Sequence, residues 1–242
     1  MRRFATSAAV MIAVGACATA CGGSPAVIAS GQEALPARSA QDWVTYGDAA
    51  LLVRVVAEHR GQRSSPEADA GEGTIARTID LSVDSVLWQR PGADERMPES
   101  MTWTTLGWTF HGDNERRMKM ANQPDLAKGH QYVVAVVFRS ENPDGSDVPH
   151  WIPLASEGII AADDGTLGNG PDIVQKDAAA EGEEPPFRDT LWRKDVSAVG
   201  GILRGTEPDP AAAAWMSADP LERYSKAMAT KGSPPSPAPG ES

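Results

Sequence analysis

Apolar and polar residues alternate along this chain in a few stretches, and the alternation predicts strands. From about Ala49 to Glu58, Leu51, Val53 and Val55 share one face while Leu52 and Val56 share the other. From about Thr74 to Trp88, Ile79, Leu81 and Val83 alternate with Thr78, Asp80, Ser82 and Asp84. That parity reverses at Val86 and Trp88, which calls for an extra residue, a bulge near Asp84-Ser85 that bends the strand. Met101 to about Phe110 forms a third strand. Gln131 to Arg139 forms a fourth, with Tyr132, Val134, Val136 and Phe138 on one face and Val133, Ala135 and Val137 on the other. Apolar character on both faces marks a central strand, covered from both sides. His150 to about Leu154 and Gly158 to Ala162 are the last strands, and Asp163-Asp164-Gly165 reads as a hairpin turn before Thr166-Leu167.

The intervals between strands are polar. His59 to Gly73 is a loop around Pro66, and Asn142-Pro143-Asp144-Gly145 makes a turn. His111 to Lys128 predicts a loop of about 18 residues, longer than structureless loops usually run in compact domains. Helical signals flank the strands. Ser39 followed by Asp42 is a capped start for a short turn carrying Trp43 and Tyr46. Leu191, Trp192, Val196, Val199, Ile202 and Leu203 fit helical spacing, weakened by Gly200 and Gly201. Asp209-Pro210 and Asp219-Pro220 each place a cap before a proline, and Glu222 stands at capping-box spacing from Asp219. The expected fold class is mainly β, a small antiparallel barrel or a sandwich, with C-terminal helices. Its β-rich domain covers 39–172, an acidic linker 173–190, a helical extension 191–230 and a disordered tail 231–242.

The first residues carry an address. Arg2 and Arg3 precede an apolar run from Ala8 to Val14, then Ala18-Thr19-Ala20-Cys21-Gly22-Gly23. A charged start, a short apolar core and small residues before a cut describe an export signal, too short for a stable membrane span. With cysteine at the cut, the stretch resembles a bacterial lipoprotein signal, in the Ala/Gly/Arg-rich style of actinobacterial lipoproteins. The family's larger apolar residue is replaced by Ala18, and Val14-Gly15-Ala16-Cys17 offers a second cut after a shorter core. The resemblance implies removal of residues 1–20 and a diacylated Cys21 on the outer face of the cell membrane. Two chains anchor stably without a basic patch. Residues 21–38 then act as a lipidated N-terminus and flexible tether. The order of the strands also resembles small barrels of the oligonucleotide/oligosaccharide-binding type, with Leu126-Ala127-Lys128-Gly129-His130-Gln131-Tyr132 leading into the inner strand.

Charge and composition narrow the partners. The chain carries −11, and loss of Arg2 and Arg3 with the signal takes the remainder to −11 − 2 = −13. Such a balance argues against nucleic acid. If Cys21 carries lipid and Cys17 leaves with the signal, no free thiol remains for a disulfide, a thiolate metal site or a cysteine nucleophile. The familiar nucleophile elbow, phosphate loop and His-Glu-x-x-His patterns are missing, and no cofactor is implied. His59, His111, His130 and His150 stand at no short metal-ligand spacing.

Four groups of residues remain as candidates. Arg116, Arg117 and Lys119, interleaved with Met118 and Met120, form the densest basic cluster and suit an acidic or amphipathic partner. Trp103, Trp108 and Trp151, with Phe110, would stack sugar rings if exposed and anchor a core if buried. His111, Asp113 and Glu115 gather an imidazole and two carboxylates for acid/base or cation chemistry, against the plain reading of a solvated turn. Asp163, Asp164, Asn169 and Asp172 supply oxygen donors for a calcium ion, which a hairpin turn would explain equally. The reading is a lipid-anchored, non-enzymatic binding module with an envelope protein as partner. A saccharide or cell-wall-fragment receptor and an envelope hydrolase without a readable motif stand beside it.

Overall fold

The computed structural model describes residues 26–31, 33–93, 96–139, 150–171 and 184–232. In chain order the elements are β1 (Val27–Ala29), α1 (Ala40–Tyr46), β2 (Ala49–Arg60), α2 (Ser65–Ala70), β3 (Glu72–Gln89), β4 (Ser100–His111), β5 (Asn114–Met120), β6 (Gln131–Arg139), β7 (His150–Pro153), β8 (Ile159–Ala161), α3 (Phe187–Thr190), α4 (Ser197–Arg204) and α5 (Pro220–Gly232). The strands form one mixed sheet in the order β1-β5-β4-β3-β2-β6-β7, and β8 also pairs with β6. Only the β1–β5 pair is parallel among those described. Residues 173–183 of the linker expected over 173–190, the turn at 142–145, residues 233–242 of the tail expected over 231–242 and Cys21 lie outside the described residues. The rest of that linker contains α3, with Phe187 and Arg188 buried, and residues 231–232 belong to α5.

The sheet curls without closing, which corrects the expected barrel. β5 pairs with only the last residues of β4, Trp108 to His111, so the edge of β4 from Ser100 onward has no ladder partner beyond β3 among the described residues. β7 lies against that edge, but its four residues are committed to β6. A side chain bridges the gap instead: Trp103 Nε1–H donates to the carbonyl of Trp151 at 2.8 Å. Both tryptophans are buried, at 5% and 7% exposure.

Bulges supply the curl. Leu52 pairs with Ser85 and Val53 with Val83, so Asp84 is skipped where the parity reversal required it. Further irregularities follow at Leu87, at Val56 and at Gly107. Gly107 is needed because a Cβ there would lie 2.4 Å from the carbonyl oxygen of Ile75.

β6 is apolar on both faces, and both are covered. On the concave side Tyr132, Val134 and Val136 meet Leu51, Val53, Ile79, Leu81, Trp103 and Trp151. On the other side Val133, Ala135 and Val137 share a core with Trp43, Tyr46, Trp88, Phe187, Leu191, Val199 and Leu203. The helices that supply this second core are locally well specified. Ser39 Oγ accepts from Asp42 N–H while the Asp42 carboxylate accepts from Ser39 N–H, closing a capping box. Asp209 caps the short 3-10 turn Pro210–Trp215 through Ala211 N–H, and Asp219 accepts from Leu221 N–H at the start of α5.

Trp43 meets Phe187 edge-on at 5.2 Å, and Tyr46 meets Tyr224 at 5.4 Å. Gly200 lets α4 close on β3, since a Cβ there would lie 2.3 Å from the Leu87 carbonyl oxygen. Two arginines tie the C-terminal helices down. Arg223, fully buried, donates to the carbonyls of Thr45 and Ala218, and Arg90 spans Asp48 (2.8 Å) and the Met216 carbonyl (3.0 Å).

Further expectations change, among them the loop over His59 to Gly73, which contains α2. The interval from His111 to Lys128 is not one long loop, because β5 returns along β4 immediately after Gly112-Asp113. Val27–Ala29, expected within a free tether, adds to β5, and Leu35 and Ala37 beyond it are buried. Thr166 bridges Asp195, and Leu167 exchanges backbone hydrogen bonds with Lys194 and Arg193, so the stretch after Asp163–Gly165 joins the approach to α4.

Replacing Trp103 by Phe keeps most of the buried area but strands the Trp151 carbonyl. We expect a loss of about 1–2 kcal/mol in urea unfolding of Trp103→Phe. A midpoint equal to wild type would remove this contact from the closure of the sheet.

Candidate functional site: a cation and aromatic array at the β4–β5 hairpin

Gly112, at φ +58 in the first central position, turns β4 directly into β5. The register then places Trp108 opposite Arg117 and Phe110 opposite Glu115 on one face. The C-terminal part of β2 and the segment that follows bring Arg60 and Arg63 over the same aromatic rings. The Arg60 guanidinium lies 4.6 Å from the Trp108 ring centroid and that of Arg117 4.9 Å, so both cations pack on this indole. Arg63 lies 4.2 Å from the Phe110 centroid.

Carboxylates hold these cations in place. Glu115 takes Arg60 at 2.6 Å and Arg63 at 2.9 Å. Glu58 joins Arg117 (3.1 Å) to Arg77 (3.2 Å), and Asp125 receives Arg117 (3.4 Å), Arg77 (3.5 Å) and Lys119 (3.2 Å). Five cations therefore face three carboxylates, a local excess of positive charge in a chain of net −11. Arg77 is the inner member, its side chain 4% exposed, with Nη1 also donating to the Leu126 carbonyl at 2.8 Å. Its Nε has no hydrogen-bond partner among the described residues. A niche beside it, lined by Thr105, Met118, Lys119, Gln123 and Asp125, encloses about 10 Å³, the space of one water.

The charges settle the titration of the array. Burial pushes the Asp125 carboxyl up, but Lys119, Arg117 and Arg77 outweigh it, and the net shift is downward. Hydrogen bonds from Arg60 and Arg63 lower Glu115. Burial lowers Arg77, with Arg117 adding repulsion, while Glu58 and Asp125 oppose the shift. Glu67, Asp80, Asp195 and Asp209 move down as well. A general acid near neutral pH needs the opposite shift. The array presents fixed charge and a flat cation–aromatic surface.

The expected site residues separate in space. Arg117 and Lys119 enter the array, while Arg116 pairs with Thr109 on the other face. Trp108 belongs to the array, but Trp103 and Trp151 are buried in the concave core, so no open platform joins the three for stacking sugars. His111 lies opposite Asn114 and Glu115 opposite Phe110, which puts the imidazole and that carboxylate on opposite faces of the hairpin. His111 instead stands 3.4 Å from Glu72, and Asp113 sits in the exposed turn.

Asp163 is engaged on both oxygens, with His130 Nδ1 at 2.5 Å and Gln131 N–H at 2.8 Å. Asn169 Nδ2–H donates to the Asp163 carbonyl at 3.2 Å. Among the described residues no group of three His, Cys, Asp or Glu could hold a metal, and Asp172 lies outside them.

Arg60, Arg63, Glu58, Arg77 and Asp125 escaped the sequence reading. One signal was present: Arg77 stands between Ile75 and Ile79 at a position whose parity points into the core. No protein-family model, curated protein or solved structure matches this chain.

Because the folded pKa of Asp125 lies below its unfolded value, its contribution is fully present above about pH 4, the unfolded carboxylate range. It is lost as pH falls through the folded value. Asp125→Asn should therefore lower stability by about 1–3 kcal/mol at pH 7 and shrink the difference from wild type as the pH drops below about 4. Urea titrations from pH 7 to pH 3 read this directly, and a difference that stays constant across the series would contradict it.

Proposed function

We propose that this chain is a lipid-anchored extracytoplasmic protein that works as a non-catalytic binding module, with the β4–β5 array as its contact surface. The observation that carries the reading is the packing of Arg60 and Arg117 on the Trp108 indole, next to Arg63 on Phe110, with cations in local excess. The partner that complements such a surface carries acidic or planar anionic groups, and an envelope protein with an acidic segment fits it.

The anchor is Cys21, in keeping with the lipoprotein-like stretch Ala18 to Gly23. Among the described residues no helix is long and apolar enough to cross a membrane, so in this reading the lipid does the holding. The curled meander β2-β3-β4, with β6 and β7 wrapping toward β4, supports an opened form of the small OB-like barrel as the architecture. Burial of Trp103 and Trp151 removes the main support for the saccharide reading, which keeps only Trp108. For the hydrolase reading, the separation of His111 from Glu115 takes apart the imidazole and carboxylate on which it was based.

Replacing Arg60 and Arg63 together by Gln keeps a polar side chain while removing the excess charge. Crosslinking in the native membrane should then recover the partner at least about tenfold less, equivalent to about 1.4 kcal/mol of binding. Recovery unchanged, with a melting midpoint near wild type, would refute the array as contact surface. For the anchor, Cys21→Ser should move the protein from the membrane fraction to the soluble one, and continued sedimentation with membranes would refute lipidation at this residue.

A further inference from the structure

The direction in which the chain enters the sheet says which end of the protein faces the lipid. β1 pairs in parallel with β5, Val27 beside Met118 and Ala29 beside Met120. Going back toward the N-terminus from Val27 therefore means moving along β5 toward Asn114 and the Gly112-Asp113 turn. The same end of the sheet carries the start of β3, paired through Glu72 and His111, and α2, whose capping residue Gly71 accepts at its carbonyl from Gly112 N–H at 2.7 Å. The opposite end carries Ala49 paired with Gln89, and beyond it Arg90, bound to the Met216 carbonyl.

Chain length makes this a tight constraint. Six residue steps separate Cys21 from Val27, which span at most about 20 Å when fully extended and about 13 Å as a flexible coil. The four steps from Met118 back to Asn114 already cover about 13 Å along the strand. A leash that continues in the direction of β1 would end within about 10 Å of the β4–β5 turn, and a lipid on Cys21 would then hold that turn close to the head groups. The far end of β3, 17 residue steps away, stands off by up to about 55 Å along the strand. The tether expected over 21–38 would have imposed no such preference. Pairing of Val27–Ala29 and burial of Leu35 and Ala37 shorten the free leash to the residues before β1.

We propose that the end formed by the β4–β5 turn and α2 is the surface of this protein that meets the phospholipid head-group layer. This rests on the lipidation of Cys21 proposed above. Charge does not drive the contact: Arg60, Arg63 and Arg116 on this end are outnumbered by Glu67, Asp69, Glu72, Asp113 and Glu115. Covalent geometry sets the orientation, so it persists in high salt. The array around Trp108 then lies near the membrane plane, and a partner bound there approaches from that plane.

The full chain, produced in a lipoprotein-processing bacterium and purified from its membranes, carries no other free thiol once Cys17 is removed and Cys21 modified. Asp113→Cys and Ser217→Cys, both at exposed positions, therefore accept a single fluorophore at the near and far ends. In phosphatidylcholine–phosphatidylglycerol vesicles bearing a head-group quencher, the label at 113 should be quenched several-fold more than that at 217, at 0.1 M and at about 1 M salt alike. Equal quenching at both positions would mean that the sheet lies with its edge on the membrane. Stronger quenching at 217, or loss of the difference in high salt, would likewise overturn the proposal. Protein that stays out of the membrane fraction, with Cys21 unmodified by mass spectrometry, would instead remove the anchor itself.

Discussion

The need to cover β6 on both faces organises this protein. A strand with Val133, Ala135 and Val137 on one side and Tyr132, Val134 and Val136 on the other cannot present either side to water without exposing several apolar side chains, each worth about 1.5–3 kcal/mol when buried. The concave side is covered by the sheet itself, curled over by bulges in β2, β3 and β4. The other side is covered by α1 and the C-terminal helices. The helices are thus part of the core: Leu191, Val199 and Leu203 fill it, and Arg223 and Arg90 tie them to the backbone around Thr45 and to Asp48.

Curling without closure has a consequence for the site. A closed barrel would spend the whole of β4 on ladders. Here its first half ends in a single side-chain bridge from Trp103, while its last residues are free to turn at Gly112 and recruit β5. The hairpin extends the concave face beyond its apolar interior, and at that rim inward positions hold Arg77, Arg117, Glu58 and Glu115. Charged groups at inward positions are costly unless paired, and this network pairs them with one another. The arrangement leaves cations in excess and aromatic rings under guanidinium groups, which is the physical basis for reading the rim as a recognition surface.

Two polar features that stood out in the linear chain are structural in the folded one. Asp163 orients His130 and caps the start of β6 through Gln131 N–H, so its carboxylate is occupied without any ion. Asp209 lies beside Lys231 at 2.6 Å and caps the turn that follows it. Both join segments far apart in sequence, a function that local spacing does not announce.

Local rules read correctly wherever the deciding interaction is local. The apolar alternation located β2, β3, β4 and β6 to within two residues at either end, the reversed parity at Val86 placed the bulge at Asp84, and the Ser39–Asp42 box marked α1. β5 has apolar residues only at Met118 and Met120, too short an alternation to mark a strand among its charges. The rest depended on contacts between distant segments. Nothing near Val27 in sequence shows that it will find Met118, and nothing near Trp108 shows that Arg60 will cover it. Whether the sheet closes depends on the length of β7 measured against the free edge of β4, which exists only once the strands are assembled. The chain by itself determined β2, β3, β4 and β6 and the caps at Ser39, Asp209 and Asp219; the tertiary structure decided which of its charges meet, because that is set by the register of a curled sheet.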